Sequence, residues 1–269
     1  MKIIGVIPAR YESTRLPGKP LADICGKPMI WWTYNQAIKV SRLDEVFVAT
    51  DDLRIEEICN QYDIPMIMTS SLHATGTDRL CEVANKIYAD IYITIQGDEP
   101  LLEPDTIEKV IDVILSEPQI PCATLKTPYV NPVDVVNNTT PKVVCDLNGD
   151  ILLFSRSPIP YPKSSLDYTY YKPIGVYAFK RDILLQYGHL KRGVIESIED
   201  IELLRLVENG VKIRVGVVES NTIAVDTPKD LERIRRFLRG GGGHLNHKYV
   251  FPLTNLAKYN LIEGVCKCG

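Results

Sequence analysis

The chain has 269 residues, of which 45% are hydrophobic and 24% are charged, and its formal net charge at pH 7 is −3. These proportions are typical of a globular protein with a substantial core, and the length fits one large domain or a domain with a small appendage. The net negative charge argues against general binding to nucleic acid or to a membrane surface. The sequence has neither an apolar run of 18 residues nor a signal-peptide pattern, so we expect a cytoplasmic protein.

A cationic loop follows the first apolar run, residues 3–7, which is typical of a buried parallel strand. Ligands of open α/β sheets bind where the strands end, so this loop lies at the expected ligand-binding edge. Its basic and hydroxyl side chains suit a polyphosphate. They are Arg10, Ser13, Thr14, Arg15 and Lys19. The alternative interpretation is an ordinary strand-to-helix connection whose cations are solvated.

Short apolar segments, typical of buried strands, alternate along the chain with segments whose apolar residues have helical spacing. The order strand, helix, strand, helix, strand predicts an α/β fold with a right-handed, doubly wound and mostly parallel sheet. The predicted strands are residues 3–7, 45–50, 66–68, 91–95, 122–125, 170–179, 211–218 and 223–225, and the main predicted helices are 28–38, 55–59, 80–88, 104–115 and 196–208. Two further β-rich runs flank Asn148-Gly149, which predicts a hairpin.

A polar segment from Thr69 to Arg79 precedes the helix predicted at 80–88. Thr77 on its own is typical of a helix N-cap, which is the simpler interpretation. Arg79 is different, because a cation in the first turn opposes the helix dipole. Ligand binding would explain its presence.

Two carboxylates follow the strand predicted at 91–95, in the sequence Gln96-Gly97-Asp98-Glu99-Pro100. This arrangement suits a hard divalent cation that carries phosphate oxygens. A turn is the alternative, because glycine, aspartate and proline are common turn residues. Asp226 also follows a predicted strand, but on its own it is more typical of a helix N-cap.

Arg156 ends the second run of the predicted hairpin and precedes a proline-rich loop. Taken alone, it is equally consistent with a surface arginine. The aromatic strand at 170–179 could line a sugar pocket or fill the core, and its periodicity favours the core.

The sequence Pro-Ala-Arg-Tyr-x-Ser-Thr-Arg-Leu-Pro-Gly-Lys-Pro-Leu, which begins at Pro8, resembles the signature of 3-deoxy-manno-octulosonate (Kdo) cytidylyltransferases. The resemblance covers about residues 3–238. It implies a Rossmann-like nucleotide-diphospho-sugar transferase fold with a β-rich insertion at 130–180, through which the family often dimerises. It also implies transfer of CMP from CTP to the anomeric hydroxyl of an acid sugar, with release of pyrophosphate, in lipopolysaccharide biosynthesis.

The resemblance also assigns roles to individual side chains. The implied triphosphate-binding and catalytic residues are Arg10, Ser13, Thr14, Arg15 and Lys19, with Asp98 in catalysis. Arg79 and Gln96 would recognise the nucleotide, and Asp98 and Asp226 would bind Mg²⁺ as the cofactor. Arg156, Tyr177 and Glu202 would bind the acidic sugar.

Two positions depart from the family pattern. Pro173 replaces a histidine, and Leu203 replaces a glutamine of the acceptor pocket. These departures leave the CTP site intact but favour, as an alternative, a different acidic acceptor such as another ulosonate or a phosphonate. A non-catalytic nucleotide-binding protein is a further alternative, although it would not need both carboxylates.

A run of four glycines separates the predicted catalytic domain, residues 1–239, from a tail at 240–269. The tail contains His244, His247, Cys266 and Cys268. Their spacing does not match common zinc modules, so we favour a packing role over a metal site. The seven cysteines of the chain are irregularly spaced, which predicts free thiols rather than a disulfide framework.

Overall fold

The structure is a computed structural model that describes residues 1–13, 15–165, 167–220 and 223–241. Within these ranges the strands are β1 (Ile3–Ala9), β2 (Asp23–Ile24), β3 (Lys27–Pro28), β4 (Glu45–Thr50), β5 (Met66–Met68), β6 (Ile91–Ile95), β7 (Cys122–Pro128), β8 (Lys142–Cys145), β9 (Ile151–Ser155), β10 (Tyr171–Lys180) and β11 (Ile213–Val217). The α-helices are α1 (Met29–Ala37), α2 (Leu53–Gln61), α3 (Gly76–Lys86), α4 (Pro104–Leu115), α5 (Arg181–Tyr187), α6 (Val194–Glu199), α7 (Leu204–Glu208) and α8 (Pro228–Arg236).

Seven strands form the central sheet, in the order β11-β7-β10-β6-β1-β4-β5. Neighbouring strands are parallel except at β10, which runs antiparallel to both β6 and β7. The predicted α/β fold with a mostly parallel sheet is therefore confirmed. Among the described residues, no helix is both long enough and apolar enough to cross a bilayer.

The apolar side chains of β1 pack on both faces of the sheet, because successive residues of a strand point in opposite directions. Ile7 is fully buried in one cluster with Ile30 of α1 and Ile111 of α4. Val6 is buried in the other cluster with Val83 of α3. Burial on both faces explains why the strand reads as a continuous apolar run rather than as an alternating one.

The predicted hairpin is confirmed, since β8 and β9 form a separate antiparallel sheet. Gly149 has a φ of 81°, a conformation that few other residues adopt, and it lies in the turn between the two strands. The predicted insertion at 130–180 is too long, however. Residues 171–180 belong to the central sheet, where they form β10.

Three predicted elements differ from the structure. The helix predicted at 196–208 is two short helices, α6 and α7, separated around Asp200, whose φ is 52°. The strand predicted at 223–225 is extended chain without strand pairing, in which the Val225 N–H donates to the Asp98 carbonyl over 2.8 Å. The helix predicted at 80–88 begins earlier, at Gly76.

The cysteines at 25, 59, 81, 122 and 145 are free thiols, as predicted. Burial raises the pKa of Cys59 to about 11 and that of Cys81 to about 12, so these two thiols are uncharged at neutral pH. They act as small apolar side chains within the core. Cys266, Cys268 and the tail histidines lie outside the described residues.

A close approach between β11 and α4 supplies a test of this packing. A Cβ atom at Gly216 would lie 2.6 Å from Val113 Cγ2 and 2.7 Å from Leu125 Cδ2. We expect Gly216→Ala to lower the free energy of unfolding by about 1–3 kcal/mol through overpacking, measured by urea denaturation. The same change should cost less in a Val113→Ala background, and an equal cost in the two backgrounds would contradict this account.

Candidate active site

A cleft of about 1180 Å³ lies where β1 and β6 end. Its walls come from the loop after β1, the segment after β6, the start of α3, the end of β9 and the connection between α6 and α7. The cleft brings together most of the predicted site residues. The predicted residues that line it are Arg10, Ser13, Arg15, Lys19, Arg79, Gln96, Asp98, Arg156, Tyr177 and Glu202. Thr14 lies outside the described residues.

The ammonium group of Lys19 contacts two carboxylates beside the β1 loop, of which Asp98 lines the cleft and Asp226 does not. Lys19 Nζ lies 2.7 Å from Asp98 Oδ2 and 3.3 Å from Asp226 Oδ1. Arg15 Nη2 also donates to Asp226 Oδ1, over 2.9 Å. The two predicted metal ligands, which are 128 positions apart in the sequence, therefore share a cation in the folded chain.

Neither carboxylate caps a helix, because the caps near them are supplied by other residues. Thr227, not Asp226, is the N-cap of α8, where it forms a capping box with Asp230. The interpretation of Asp226 as an N-cap is therefore wrong. Among the described residues, no three histidine, cysteine, aspartate or glutamate side chains cluster in a way that could hold a metal ion. Asp98 and Asp226 are two carboxylates at this position, fewer than such a cluster requires.

Arg79 is largely buried, with 4% of its surface exposed, and its guanidinium has protein partners. It forms an ion pair with Asp51 over 3.1 Å and donates to the hydroxyl of Thr69. These contacts explain how a cation is accommodated in the first turn of α3. The N-cap of this helix is Thr75, which forms a capping box with Asp78, so the interpretation of Thr77 as the cap is wrong.

Gln96 and Glu202 meet on the floor of the cleft. Glu202 accepts hydrogen bonds from the Thr77 N–H, over 2.9 Å, and from Gln96 Nε2, over 3.2 Å. Burial raises the pKa of the Glu202 carboxyl, and burial likewise raises the pKa of the Tyr177 hydroxyl well above its usual value. Tyr177 is therefore a neutral hydrogen-bonding group at physiological pH.

Arg156 is held by backbone carbonyl groups of two loops. Its Nε donates to Glu199 O over 2.6 Å, and its Nη2 donates to Asp200 O over 3.2 Å. Its Nη1 donates to the carbonyls of Asn138 and Thr139 over 3.1 and 3.0 Å. Four of the five N–H donors of this guanidinium are thus occupied. A bidentate carboxylate clamp would require the guanidinium to exchange some of these partners.

Lys142 also donates hydrogen bonds to the loop at 137–141, although the sequence analysis did not single it out. Its Nζ donates to the carbonyls of Asn137, Thr140 and Arg156 over 2.7, 3.0 and 2.8 Å, and the whole residue is buried. Lys142 and Arg156 together fix the loop at 137–141. The only signal in the sequence was a lysine at the start of an apolar strand, where a solvent-exposed charge would be unremarkable.

The two departures from the family pattern do not line the cleft. Leu203 is 1% exposed and packs in the cluster that contains Val6 and Val83. Pro173 pairs with Lys126 where β10 and β7 lose their regular register. The interpretation of Leu203 as a residue of the acceptor pocket is therefore wrong for this structure, because its side chain points into the core.

The chain is similar in sequence to proteins of known class. A sequence profile described as cytidylyltransferase matches residues 4–213. The 3-deoxy-manno-octulosonate cytidylyltransferase of Escherichia coli is 44% identical over 88% of this chain and 96% of its own length. The enzyme of that name from Parabacteroides distasonis is 43% identical over 88% of this chain and 98% of its own length.

The chain belongs to the 3-deoxy-manno-octulosonate cytidylyltransferase family. It is therefore a nucleotidyltransferase. A solved structure of CMP:2-keto-3-deoxy-manno-octonic acid synthetase complexed with CTP is 44% identical and has a TM-score of 0.85, covering 90% of this chain and 100% of that one. A cytidylyltransferase from Leptospira borgpetersenii has a TM-score of 0.61 at 18% identity, over 98% of this chain and 95% of its own, and so shares the fold alone.

The cleft of this cytidylyltransferase also contains residues that the sequence analysis missed. Arg54, in the first turn of α2, and His73, before α3, both line it. His73 Nε2 lies 2.5 Å from Glu82 Oε2. Neither residue belongs to a motif that points to a ligand. Arg54 reaches the cleft because α2 packs against the helical turn Lys19–Leu21 of the β1 loop, and His73 because it precedes α3, which packs against β1.

Titration of Lys142 provides a test of its burial. Burial, together with the neighbouring Arg156, lowers the pKa of Lys142 from 10.5 to about 8. Between these two values the unfolded chain holds a proton on Lys142 that the folded chain has released, so Lys142 contributes a rise in the free energy of unfolding with pH across this window. The buried thiols of Cys59 and Cys81 act in the opposite sense above their ordinary pKa of 9.0, because the unfolded chain loses those protons first. The free energy of unfolding of the wild type minus that of Lys142→Met should therefore increase with pH across the window, as measured by urea denaturation from pH 7 to 10.5.

Lys39→Met, which removes an exposed lysine next to α1, is the matched control for this series. It should keep the pH dependence of the wild type. If Lys142→Met and Lys39→Met show the same dependence on pH, Lys142 is not the group that titrates.

Proposed function

We propose that the chain transfers CMP from CTP to the anomeric hydroxyl of 3-deoxy-manno-octulosonate and releases pyrophosphate. The observation that carries the proposal is the shared contact of Lys19 with Asp98 and Asp226, beside a cleft that Arg156 and Glu202 also line. Lys19 and the two carboxylates have the charges that a metal-bound triphosphate needs. Arg156 and Glu202 are groups suited to a hydroxylated acid.

The triphosphate would lie against the loop after β1. Arg10 is exposed in the cleft and has no ion pair with any described residue, so its guanidinium can turn toward a phosphate. Arg15 and Lys19 would move from Asp226 and Asp98 to the phosphates, and Ser13 and Thr14 would add hydroxyl donors. The chain thereby neutralises charge on the leaving pyrophosphate.

Asp98 and Asp226 fit a divalent cation, and we propose Mg²⁺ as that cation. Both are carboxylates at the same point, which is the ligand type that hard cations prefer. When bound, the ion neutralises phosphate charge and orients the triphosphate. Gln96 would face the nucleotide, while Arg79, held by Asp51, would fix the first turn of α3 beside it.

The acceptor would bind between Tyr177, Glu202 and Arg156. Glu202 can accept from sugar hydroxyls, and Tyr177 can both donate and accept. Arg156 has one unused Nη2 hydrogen, and it could give a carboxylate further donors by releasing the loop carbonyls. Because Pro173 and Leu203 lie away from the cleft, they give no reason to replace Kdo by another acceptor.

The proposal includes a cytoplasmic homodimer. Large apolar side chains are exposed on and beside the β8–β9 sheet, namely Leu147, Leu152 and Tyr161. Burying such side chains is favourable, so they support association through the insertion. Sedimentation velocity should give twice the mass of 30.3 kDa, and Leu152→Lys should shift the equilibrium toward the monomer. A wild-type monomer at micromolar concentration would contradict this part of the proposal.

Pyrophosphate release tests the function directly. With Mg²⁺ and CTP, the full chain should release pyrophosphate when Kdo is added and should form CMP-Kdo, detected by mass spectrometry. UTP, ATP and GTP should give lower kcat/KM values, because Gln96 and the start of α3 would recognise cytosine. Release with a phosphonate or another ulosonate but not with Kdo would favour a different acceptor, and no release with any acid would contradict a transferase.

The two carboxylates provide a sharper test of the chemistry. Asp98→Asn and Asp226→Asn should each lower kcat by at least about 100-fold at ordinary Mg²⁺ concentration, because an amide neutralises less of the cation's charge. Both variants should remain folded, since both side chains are partly exposed and lie outside the apolar core. Asp105→Asn, at an exposed aspartate in the first turn of α4, is the control and should keep wild-type kcat. An active Asp98→Asn enzyme would contradict the metal assignment.

A further inference from the structure

Arg54 stacks on an aromatic ring of the loop after β1. Its Cζ lies 3.3 Å from the centroid of the Tyr11 ring, and both residues line the cleft. A guanidinium at this distance from a tyrosine ring is in the range of a cation–π contact. The contact joins α2, which contains Arg54, to the loop that holds Lys19.

The guanidinium is fixed by Asp52. Arg54 Nε donates to Asp52 Oδ1 over 2.9 Å, and Nη2 donates to Oδ2 over 2.6 Å. Asp52 is also the N-cap of α2, where it accepts from the Arg54 N–H. Two hydrogen bonds to one carboxylate restrict rotation of the planar guanidinium group, so Arg54 presents a fixed face to the Tyr11 ring.

The ring in turn fixes the backbone that precedes Lys19. The Gly18 N–H donates to Tyr11 O over 3.0 Å and closes the loop. Gly18 has a φ of 66°, and a Cβ atom there would lie 3.1 Å from Cζ of the Tyr11 ring, so the ring lies against the glycine backbone. Asp52, Arg54, Tyr11 and Gly18 thus form a continuous series of contacts that ends at Lys19.

We propose that Arg54 is a positioning residue for the triphosphate, acting through the Tyr11 ring to set the loop that carries Lys19. This inference rests on the proposed function, because it concerns the same triphosphate site. Arg54 would pre-organise the loop before CTP binds, which reduces the ordering that binding requires. Its loss should therefore weaken CTP binding more than acceptor binding.

Direct contact between Arg54 and a phosphate is the competing account, and Asp52→Asn separates the two. Asparagine is as good an N-cap as aspartate, so α2 should be retained. The change removes the charge that anchors the guanidinium. A positioning role predicts weaker CTP binding, whereas direct phosphate binding predicts equal or tighter binding because Arg54 is released toward the cleft.

The experiment is calorimetric titration of the full chain with CTP and Mg²⁺ in the absence of acceptor, followed by steady-state kinetics. Arg54→Met should raise the Kd for CTP by about two- to five-fold, the range of an exposed cation–π contact, and should leave the KM for Kdo unchanged. Arg42→Met, which removes an arginine paired with Asp112 outside the cleft, is the matched control and should keep the wild-type Kd.

A double-mutant cycle with Tyr11→Leu completes the test. If Arg54 acts through the ring, Arg54→Met should have little further effect once the ring is absent. Additive effects, an unchanged Kd in Arg54→Met, or equal or tighter binding in Asp52→Asn would each overturn the inference. If the wild type binds CTP but transfers nothing to Kdo, the proposed function is wrong, while the binding data still decide the role of Arg54.

Discussion

The contact of the Lys19 ammonium with Asp98 and Asp226 joins three segments that are distant in sequence. Two carboxylates at one point repel each other, and a cation between them offsets that repulsion. Under the proposed function, the same oxygens would hold a divalent ion, and Lys19 would compete with it for them. A bound triphosphate would then offer the Lys19 ammonium anionic partners in place of the carboxylates.

The parallel sheet makes this contact possible. Neighbouring parallel strands end at the same edge, so the loop after β1 and the segment after β6 meet there. Gly97 allows the approach, since a Cβ atom at that position would lie 3.2 Å from the Pro8 carbonyl oxygen. The Val225 N–H, which donates to Asp98 O, brings the third segment to the same edge and places Asp226 beside Lys19.

Two cationic side chains that look alike in the sequence have different surroundings in the fold. Arg10 is exposed in the cleft, whereas Arg156 is surrounded by carbonyl oxygens of the loops that it joins. Lys142, buried under one of these loops, adds a second positive charge close to Arg156. Arg156 and Lys142 are thus cations that already have partners, so a ligand that binds the Arg156 guanidinium would have to exchange hydrogen bonds with these carbonyls.

The sequence by itself determined the seven strands of the central sheet and the hairpin, because these depend on local apolar patterns and turn residues. The strands at 45–50, 66–68 and 91–95 have the predicted bounds. Only the tertiary structure decided which side chains reach the cleft. Leu203 packs into the core, at the point where the helical conformation is interrupted between α6 and α7. Arg79 forms an ion pair with Asp51, which lies 28 positions earlier in the sequence. Such contacts form between residues brought together by packing, which no local pattern encodes.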